Sequence, residues 1–407
     1  MRRVVVTGYG LVSALGLDVA SAFNRLKVPK NMVRCSDELA RIKGLQTQLC
    51  APIDNFVYPE RYTRKVIRSM GRVSVMALNA TEQALEQAGL AESPELRGGR
   101  LGVAYGSSSG SVDAIADFFT VVTDGEVKNV TSNTYIKMMP QTAAVNLSVH
   151  FGTTGRLLPT GTACTSGSLA VGLSYEAIKF GLQEIMIAGG GEEFSPTQVA
   201  VFDTLFATSR CNDFPELTPR AFDRNRDGLV IGEGAATLVL EERDHALARG
   251  AEILAEVVGF GTNTDGRHIT QPNRETMAAA LRMALDDAGL DASAVGYVNA
   301  HGTATDQGDI AEGTATAAVY GAHTPVSTIK NYTGHTLGAC GALEAILSIE
   351  MMRNDWYAPN LNLTEPDERC GELDFITGGG RNFQSGYVAT NNFAFGGVNT
   401  SLIFRRV

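Results

Sequence analysis

Short runs of β-branched and other apolar residues recur along the chain, each closed by glycine or small polar residues. They predict buried strands at 3–8 (RVVVTG), 100–106 (RLGVAYG), 184–190 (EIMIAGG), 236–242 (ATLVLEE), 255–261 (AEVVGFG) and 295–302 (VGYVNAHG). Between several of them the apolar positions switch to helical spacing, as in VSVMALNATEQALEQAGL (73–90) and ETMAAALRMALDDAGL (275–290). Strands alternating with helices predict an α/β fold with a mostly parallel sheet. The last segments, 387–397 and 398–407, read as two strands around a glycine turn.

The pattern also repeats. ALEQAGL at 84–90 returns as ALDDAGL at 284–290, and each copy precedes a strand ending in a small-residue loop, LGVAYGSSSGS or VGYVNAHGTAT. Each half opens alike, with VVVTGYG or EVVGFGT. Three parallel elements in one order predict two related α/β halves that join near 245–250, assigned as 1–250 and 251–407.

Composition narrows the function. Glycine supplies 44 of 407 residues, above the usual share of roughly 7%, and its placement beside strand ends points to tight turns and close backbone approach. A net charge of −10 argues against nucleic acid or an anionic membrane as partner while leaving room for a local basic patch. Six cysteines without a CxxC pair make no disulfide framework, so a cytoplasmic protein is expected. The start MRRVVVTGYGLVSALG could pose as a signal peptide but reads better as a buried strand entering a glycine turn. No segment reaches the roughly 18 uninterrupted apolar residues of a membrane helix.

Candidate chemistry centres on GTACTSGS (161–168), which sets Cys164 between the bulky RLLP and the helical LAVGLSYEAIKFGL. A thiol at a helix N-terminus is expected to have a lowered pKa, and small neighbours leave room for a carbonyl to approach. The competing reading is a buried cysteine acting as a small apolar residue. Two glycine-rich segments favour chemistry: NAHGTATDQGD brings His301, and STIKNYTGHTLGACGALEA brings Lys330 and His335. Related halves would turn these strand-end loops toward Cys164. His150, His245, His268 and His323 lack such settings and read as surface or packing residues. No metal is expected, because HxH and HExxH spacings are missing.

GTACTSG, AFDRNRDGLVIGEGA (221–235), HGTATDQGD (301–309), IKNYTGHTLGACG (329–341) and NNFAFGGVN (391–399) together resemble the elongating β-ketoacyl-acyl carrier protein synthases over essentially the whole chain. The resemblance implies a thiolase-like fold, two pseudo-symmetric halves in αβαβα layers, normally a homodimer. It implies that Cys164 accepts the acyl group and that His301 and His335 stabilise the enolate formed when malonyl-carrier protein loses carbon dioxide. Lys330 would be the family's catalytic lysine, with Glu312 and Asp309 as the carboxylates near it. The N–H groups of Cys164 and Phe395 would form an oxyanion hole, and Phe395 would screen the acyl pocket. Thr303, Thr305 and Thr270 would contact substrate, and Ser109 would bound the acyl pocket, leaving room for moderately long or partly polar chains. No resident cofactor is implied, since phosphopantetheine enters on the carrier protein; Lys65 and Arg68 of YTRKVIRSMGR would dock that partner.

Two departures from the family pattern stand out. Ala394 replaces a glycine in the loop of Phe395, which would stiffen it, and Asp306 stands where proline is usual. The pathway is expected to be fatty-acid synthesis; a ketosynthase of type II polyketide or aryl-polyene synthesis, or a non-catalytic chain-length partner subunit, are the alternatives. A thiolase would need a second catalytic cysteine, for which Cys340 and Cys370 are the candidates. Initiating synthases carry asparagine where this chain has His335, and a cysteine hydrolase would not need Lys330.

Overall fold

The computed structural model describes residues 1–407. Ten strands build its main sheet: β1 (Val4–Ser13), β2 (Leu101–Gly106), β3 (Leu157–Thr160), β4 (Ile185–Glu192) and β5 (Gly234–Glu242), then β6 (Ala255–Thr264), β7 (Tyr297–Asn299), β8 (Pro325–Ser327), β9 (Tyr387–Phe393) and β10 (Val398–Arg405). Their spatial order is β3-β2-β4-β5-β1 in the first half and β8-β7-β9-β10-β6 in the second, the same permutation twice. Val4–Val6 of β1 pair with Ala255–Val257 of β6 and join the halves, while Asp374–Phe375 add an outer strand beside β8. The expected repeat is therefore a repeat of topology.

The sheet is less parallel than the sequence pattern suggested. In each half three neighbouring strands are parallel, and the last two run antiparallel. The reason is visible between β9 and β10, where the four-residue turn at 394–397 is too short for the crossover that a parallel pair needs.

Six helices cover the sheet: α1 (Arg72–Gln87), α2 (Thr142–Phe151), α3 (Ser166–Lys179), α4 (Arg274–Ala288), α5 (Asp306–Tyr320) and α6 (Cys340–Arg353). α1 lies on β1 and β5 and α4 on β6 and β10, outside; α3 and α6 pack on each other between the two half-sheets. This gives the αβαβα layering. α6 is buried on nearly every side, which explains why CGALEAILSIEMM shows no polar face. The largest apolar cluster mixes Val4 and Leu238 of the first half with Phe260, Ile346 and Phe404 of the second, so one core spans the boundary at 250/251.

The repeated motifs acquire physical reasons. In AGL, Gly89 and Gly289 adopt φ of +67° and +65° and end α1 and α4. The following leucines donate N–H to Leu85 and Leu285, closing the same helix stop twice. In VVVTGYG and EVVGFGT the glycines let a helix lie directly on a strand. A Cβ on Gly8 would sit 2.2 Å from the Ala84 carbonyl oxygen, and one on Gly259 would sit 2.3 Å from that of Ala284.

Gly8→Ala and Gly259→Ala are accordingly expected to destabilise the fold by about 1–3 kcal/mol each, the usual cost of overpacking. Gly386→Ala, with nothing within 4 Å of the added methyl, is the control and should leave the unfolding midpoint unchanged. Denaturant melts decide; wild-type midpoints for both strand variants would refute the close-approach account.

Candidate active site

The site forms where the two buried helices begin. β3 ends at Thr160, and a single 3₁₀ turn, Ala163–Thr165, carries Cys164 into α3. The second half repeats the device: Leu337–Ala339 form a 3₁₀ turn between His335 and α6. Ala163 and Leu337 have φ of +51° and +46°, left-handed values that side chains rarely adopt. Gly167 lets the two starts approach, since a Cβ there would lie 3.0 Å from the Gly338 oxygen. His301 follows β7, and Gly302, at φ +42°, turns the chain away behind it.

Cys164, His301 and His335 converge, with ligand-type atoms all within 4.8 Å of one another. His335 Nε2 lies 3.1 Å from Cys164 Sγ, while its Nδ1 accepts the N–H of Leu337 at 3.3 Å. That backbone donor fixes the tautomer and leaves the proton on Nε2. His301 stands edge-on to His335 with ring centroids 5.1 Å apart, and its Nδ1 faces the amide nitrogen of Asn392 at 3.3 Å. Both Nε2–H groups are thereby available to oxygen or sulfur in the cavity.

Burial, then the Lys330 charge, holds the His335 imidazolium well below the ordinary histidine pKa; for His301 the neighbouring His335 adds to both. Both rings are neutral at physiological pH. For Cys164 the expected lowering is reversed: burial pushes the thiol up to about 11, while Lys330 and the N–H groups of Phe395 and Cys164 pull against it. The helix start is too deeply enclosed for its dipole to outweigh lost hydration. Burial also disfavours the Lys330 ammonium, yet Cys340, Glu344 and Glu312 around it leave its pKa above the ordinary value.

Of the two carboxylates expected near Lys330, Glu312 is close enough to help raise its pKa, and neither forms its direct ion pair. Lys330 pairs with Glu344, not with Glu312 or Asp309. Glu312 accepts the N–H groups of His301 and Gly302 at 2.6 and 2.7 Å, and Asp309 those of Phe222 and Ala304 at 2.7 and 3.1 Å. These two brace the loop that carries His301. Burial pushes Glu312 up to about 8 and Asp309 to about 6, against the pull of those N–H donors. Glu344 also accepts from Asn392 at 2.8 Å. Both were readable as polar residues inside apolar elements, Glu344 in GALEAILS and Asn392 in YVATNNF.

A cavity of about 370 Å³ opens onto Cys164, His301 and His335, and Thr270, Thr303, Thr305, Asp306 and Phe395 line it. Phe395 rests on Phe202 with ring centroids 5.0 Å apart. In this conformation the left-handed positions of the loop are Gly396 and Gly397, at φ +87° and +74°, and Ala394 is not one of them. Asp306 is held between Arg226 and Arg369. Ser109 is not on the cavity wall; its hydroxyl donates to Glu192 at 2.9 Å and accepts from Gln198 at 3.0 Å. Cys340 donates to the Cys164 carbonyl at 3.2 Å behind the site, and Cys370 is buried against α5, so neither thiol faces the cavity. Lys65 and Arg68 are exposed together with Arg64, without ion-pair partners, whereas Arg61 and Arg72 are paired with Glu82 and Glu233.

Comparison with known proteins agrees with this geometry. Residues 1–246 match the Beta-ketoacyl synthase, N-terminal domain family and residues 254–364 the corresponding C-terminal domain family. A 3-oxoacyl-[acyl-carrier-protein] synthase 2 of Vibrio harveyi is 36% identical over 100% of this chain and 99% of its own. The crystal structure of a Beta-ketoacyl synthase from Burkholderia phymatum STM815 superposes with a TM-score of 0.98 at 57% identity over the whole of both chains. One chain of a structure of a type II PKS acyl-carrier protein in complex with its ketosynthase superposes with a TM-score of 0.88 at 28% identity, over 100% of this chain and 99% of that one. The protein belongs to the β-ketoacyl synthase family, the condensing acyltransferases of the thiolase superfamily.

Proposed function

We propose that the protein elongates carrier-bound acyl chains in fatty-acid synthesis by decarboxylative condensation with malonyl-acyl carrier protein. One observation carries the reading: two neutral imidazoles present Nε2–H groups to the cavity directly beside a buried cysteine. The 36% identity to a 3-oxoacyl-[acyl-carrier-protein] synthase over the full chain supports the fatty-acid reading, and the 34% identity to a putative polyketide β-ketoacyl synthase of Streptomyces halstedii keeps polyketide elongation as the second reading. The thiol and both histidines at the cavity argue against a non-catalytic subunit.

In the first step Cys164 Sγ attacks the acyl thioester carbon. The bond from that carbon to the pantetheine sulfur breaks, and the departing thiolate takes up the proton lost by the cysteine. The N–H groups of Cys164 and Phe395 receive the oxyanion. Malonyl-carrier protein then places its thioester oxygen against His301 and His335. Its carboxyl leaves as carbon dioxide, and the electron pair left behind forms an enolate stabilised by the two N–H donors. The enolate carbon attacks the acyl-cysteine carbonyl, the carbon–sulfur bond breaks, and the Cys164 thiolate is released next to the Lys330 charge. Thr303 and Thr305 flank the entering pantetheine arm. The chemistry needs no metal and no resident cofactor.

The working unit is proposed to be a homodimer. Phe119 and Val122 are exposed on helix Val112–Thr123 and β3 is an edge strand of the sheet; these are the surfaces that a second copy is proposed to cover. Six free cysteines suit a cytoplasmic setting, and no helix is long and apolar enough to cross a membrane.

Cys164→Ala should abolish acyl loading. His301→Ala and His335→Ala should still load acyl groups while losing about 10²–10³ in decarboxylation rate, the usual cost of one such donor. Mass spectrometry of loaded protein and carbon dioxide release measure the two steps; normal decarboxylation in both histidine variants would remove the enolate role.

Lys65 and Arg68 are proposed to dock the acidic carrier protein. Reversing both to glutamate should raise KM for acyl-carrier protein several-fold and flatten its salt dependence, leaving acyl-pantetheine mimics unaffected. Equal losses with the small mimics would place the defect in the site instead.

A further inference from the structure

One fully buried carboxylate beside the site has no cationic partner and no part in the mechanism above. Glu192, at the end of β4, is 0% exposed. Its Oε2 accepts the N–H of Ser108 at 2.8 Å, the Ser108 hydroxyl at 2.6 Å and the N–H of Gly338 at 3.0 Å. Its Oε1 accepts from the Ser107 hydroxyl at 3.2 Å, from Ser109 N–H and hydroxyl at 3.3 and 2.9 Å, and from the Gln198 amide at 3.3 Å. The serines belong to the loop after β2 in the first half; Gly338 belongs to the turn that starts α6 in the second.

Gly338 directly follows Leu337, the residue at φ +46° whose N–H fixes His335. A leucine keeps that conformation only where its surroundings enforce it. The Glu192 carboxylate grips the very next peptide, and the approach is so close that a Cβ on Gly338 would lie 2.7 Å from Oε2. Contacts therefore run without a gap from Glu192 through Gly338 and Leu337 to His335 and Cys164.

We propose that Glu192 is a positioning residue for His335, clamping the α6 turn of one half to the Ser107–Ser109 loop of the other so that the His335 Nε2–H points into the cavity. What matters is reach to the Gly338 N–H, not charge. The inference rests on His335 acting as an enolate donor.

Reach and charge separate in three variants. Glu192→Gln keeps an oxygen for Gly338 and Ser108. Its new NH₂ faces the Ser107 and Ser109 hydroxyls and the Gln198 amide, whose oxygen has no other partner and can turn to accept, and it gives up only the 3.3 Å contact from the Ser109 N–H. Glu192→Asp keeps the charge but falls one methylene short. Gly338→Ala leaves Glu192 in place and drives a methyl into it.

Malonyl decarboxylation is measured per Cys164 that can be titrated with acyl groups, so that misfolded protein does not count. Since small misplacements cost up to about 10² in rate, Glu192→Asp and Gly338→Ala should each lose about tenfold or more in kcat, with KM for malonyl-carrier protein unchanged and Glu192→Gln within about threefold of wild type. Wild-type kcat in folded Glu192→Asp or Gly338→Ala, or a Glu192→Gln as impaired as Glu192→Asp, would overturn the proposal. Normal decarboxylation by His335→Ala would instead overturn the enolate reading on which it rests.

Discussion

A buried ion pair organises the reaction centre. Lys330 and Glu344 lie within the protein, away from water, and meet beneath Cys164, His301 and His335. Two charges taken out of water are costly, and removing one partner of such a pair typically costs about 3–5 kcal/mol. What the pair returns is electrostatic. The ammonium adds to burial in keeping both imidazoles neutral, and it is the largest influence pulling the cysteine toward thiolate. One cation thus favours opposite outcomes at its neighbours, uncharged donors at the histidines and negative charge at the sulfur. That combination suits a site that must hold a nucleophile and then an enolate.

The doubled fold supplies the geometry. Because each half uses the same strand order, the two helices that follow the third strand of each half start face to face, with Cys164 just before one and His335 just before the other. Glycines make the meeting close: Gly167 and Gly338 at the helix starts, Gly8 and Gly259 where the outer helices rest on the sheet. The left-handed turns at Ala163 and Leu337 are the same local solution reached twice from unlike sequences.

Much of this was legible in the chain. Alternating apolar runs gave the α/β class, and the AGL and glycine-strand repeats gave the two halves because each encodes a helix stop or a close approach. The three side chains that converge on the cavity were marked by small residues on either side, which the converging turns require. Other features were hidden because they depend on partners distant in sequence. The thiol pKa follows from enclosure by both halves, so local reading as a helix start had the wrong sign. Ser109 reads as a pocket residue, and only the fold shows that Glu192, far along the chain, takes its hydroxyl. The partner of Lys330 is set by the packing of α6, and only an isolated glutamate in an apolar helix hinted at it. Short strands such as β3 and β8 carry too few residues for a period to show.

The central claim is that the cysteine stands beside neutral imidazole donors and not in an ion pair with a protonated histidine. Long-range proton–nitrogen spectra of histidine-labelled protein test it directly. His301 and His335 should each show the neutral Nε2–H pattern at pH 7 and keep it as the pH falls through 6.5, where an ordinary histidine gains its proton. An imidazolium signal from His335 at neutral pH, lost when Cys164 is replaced by alanine, would contradict the account.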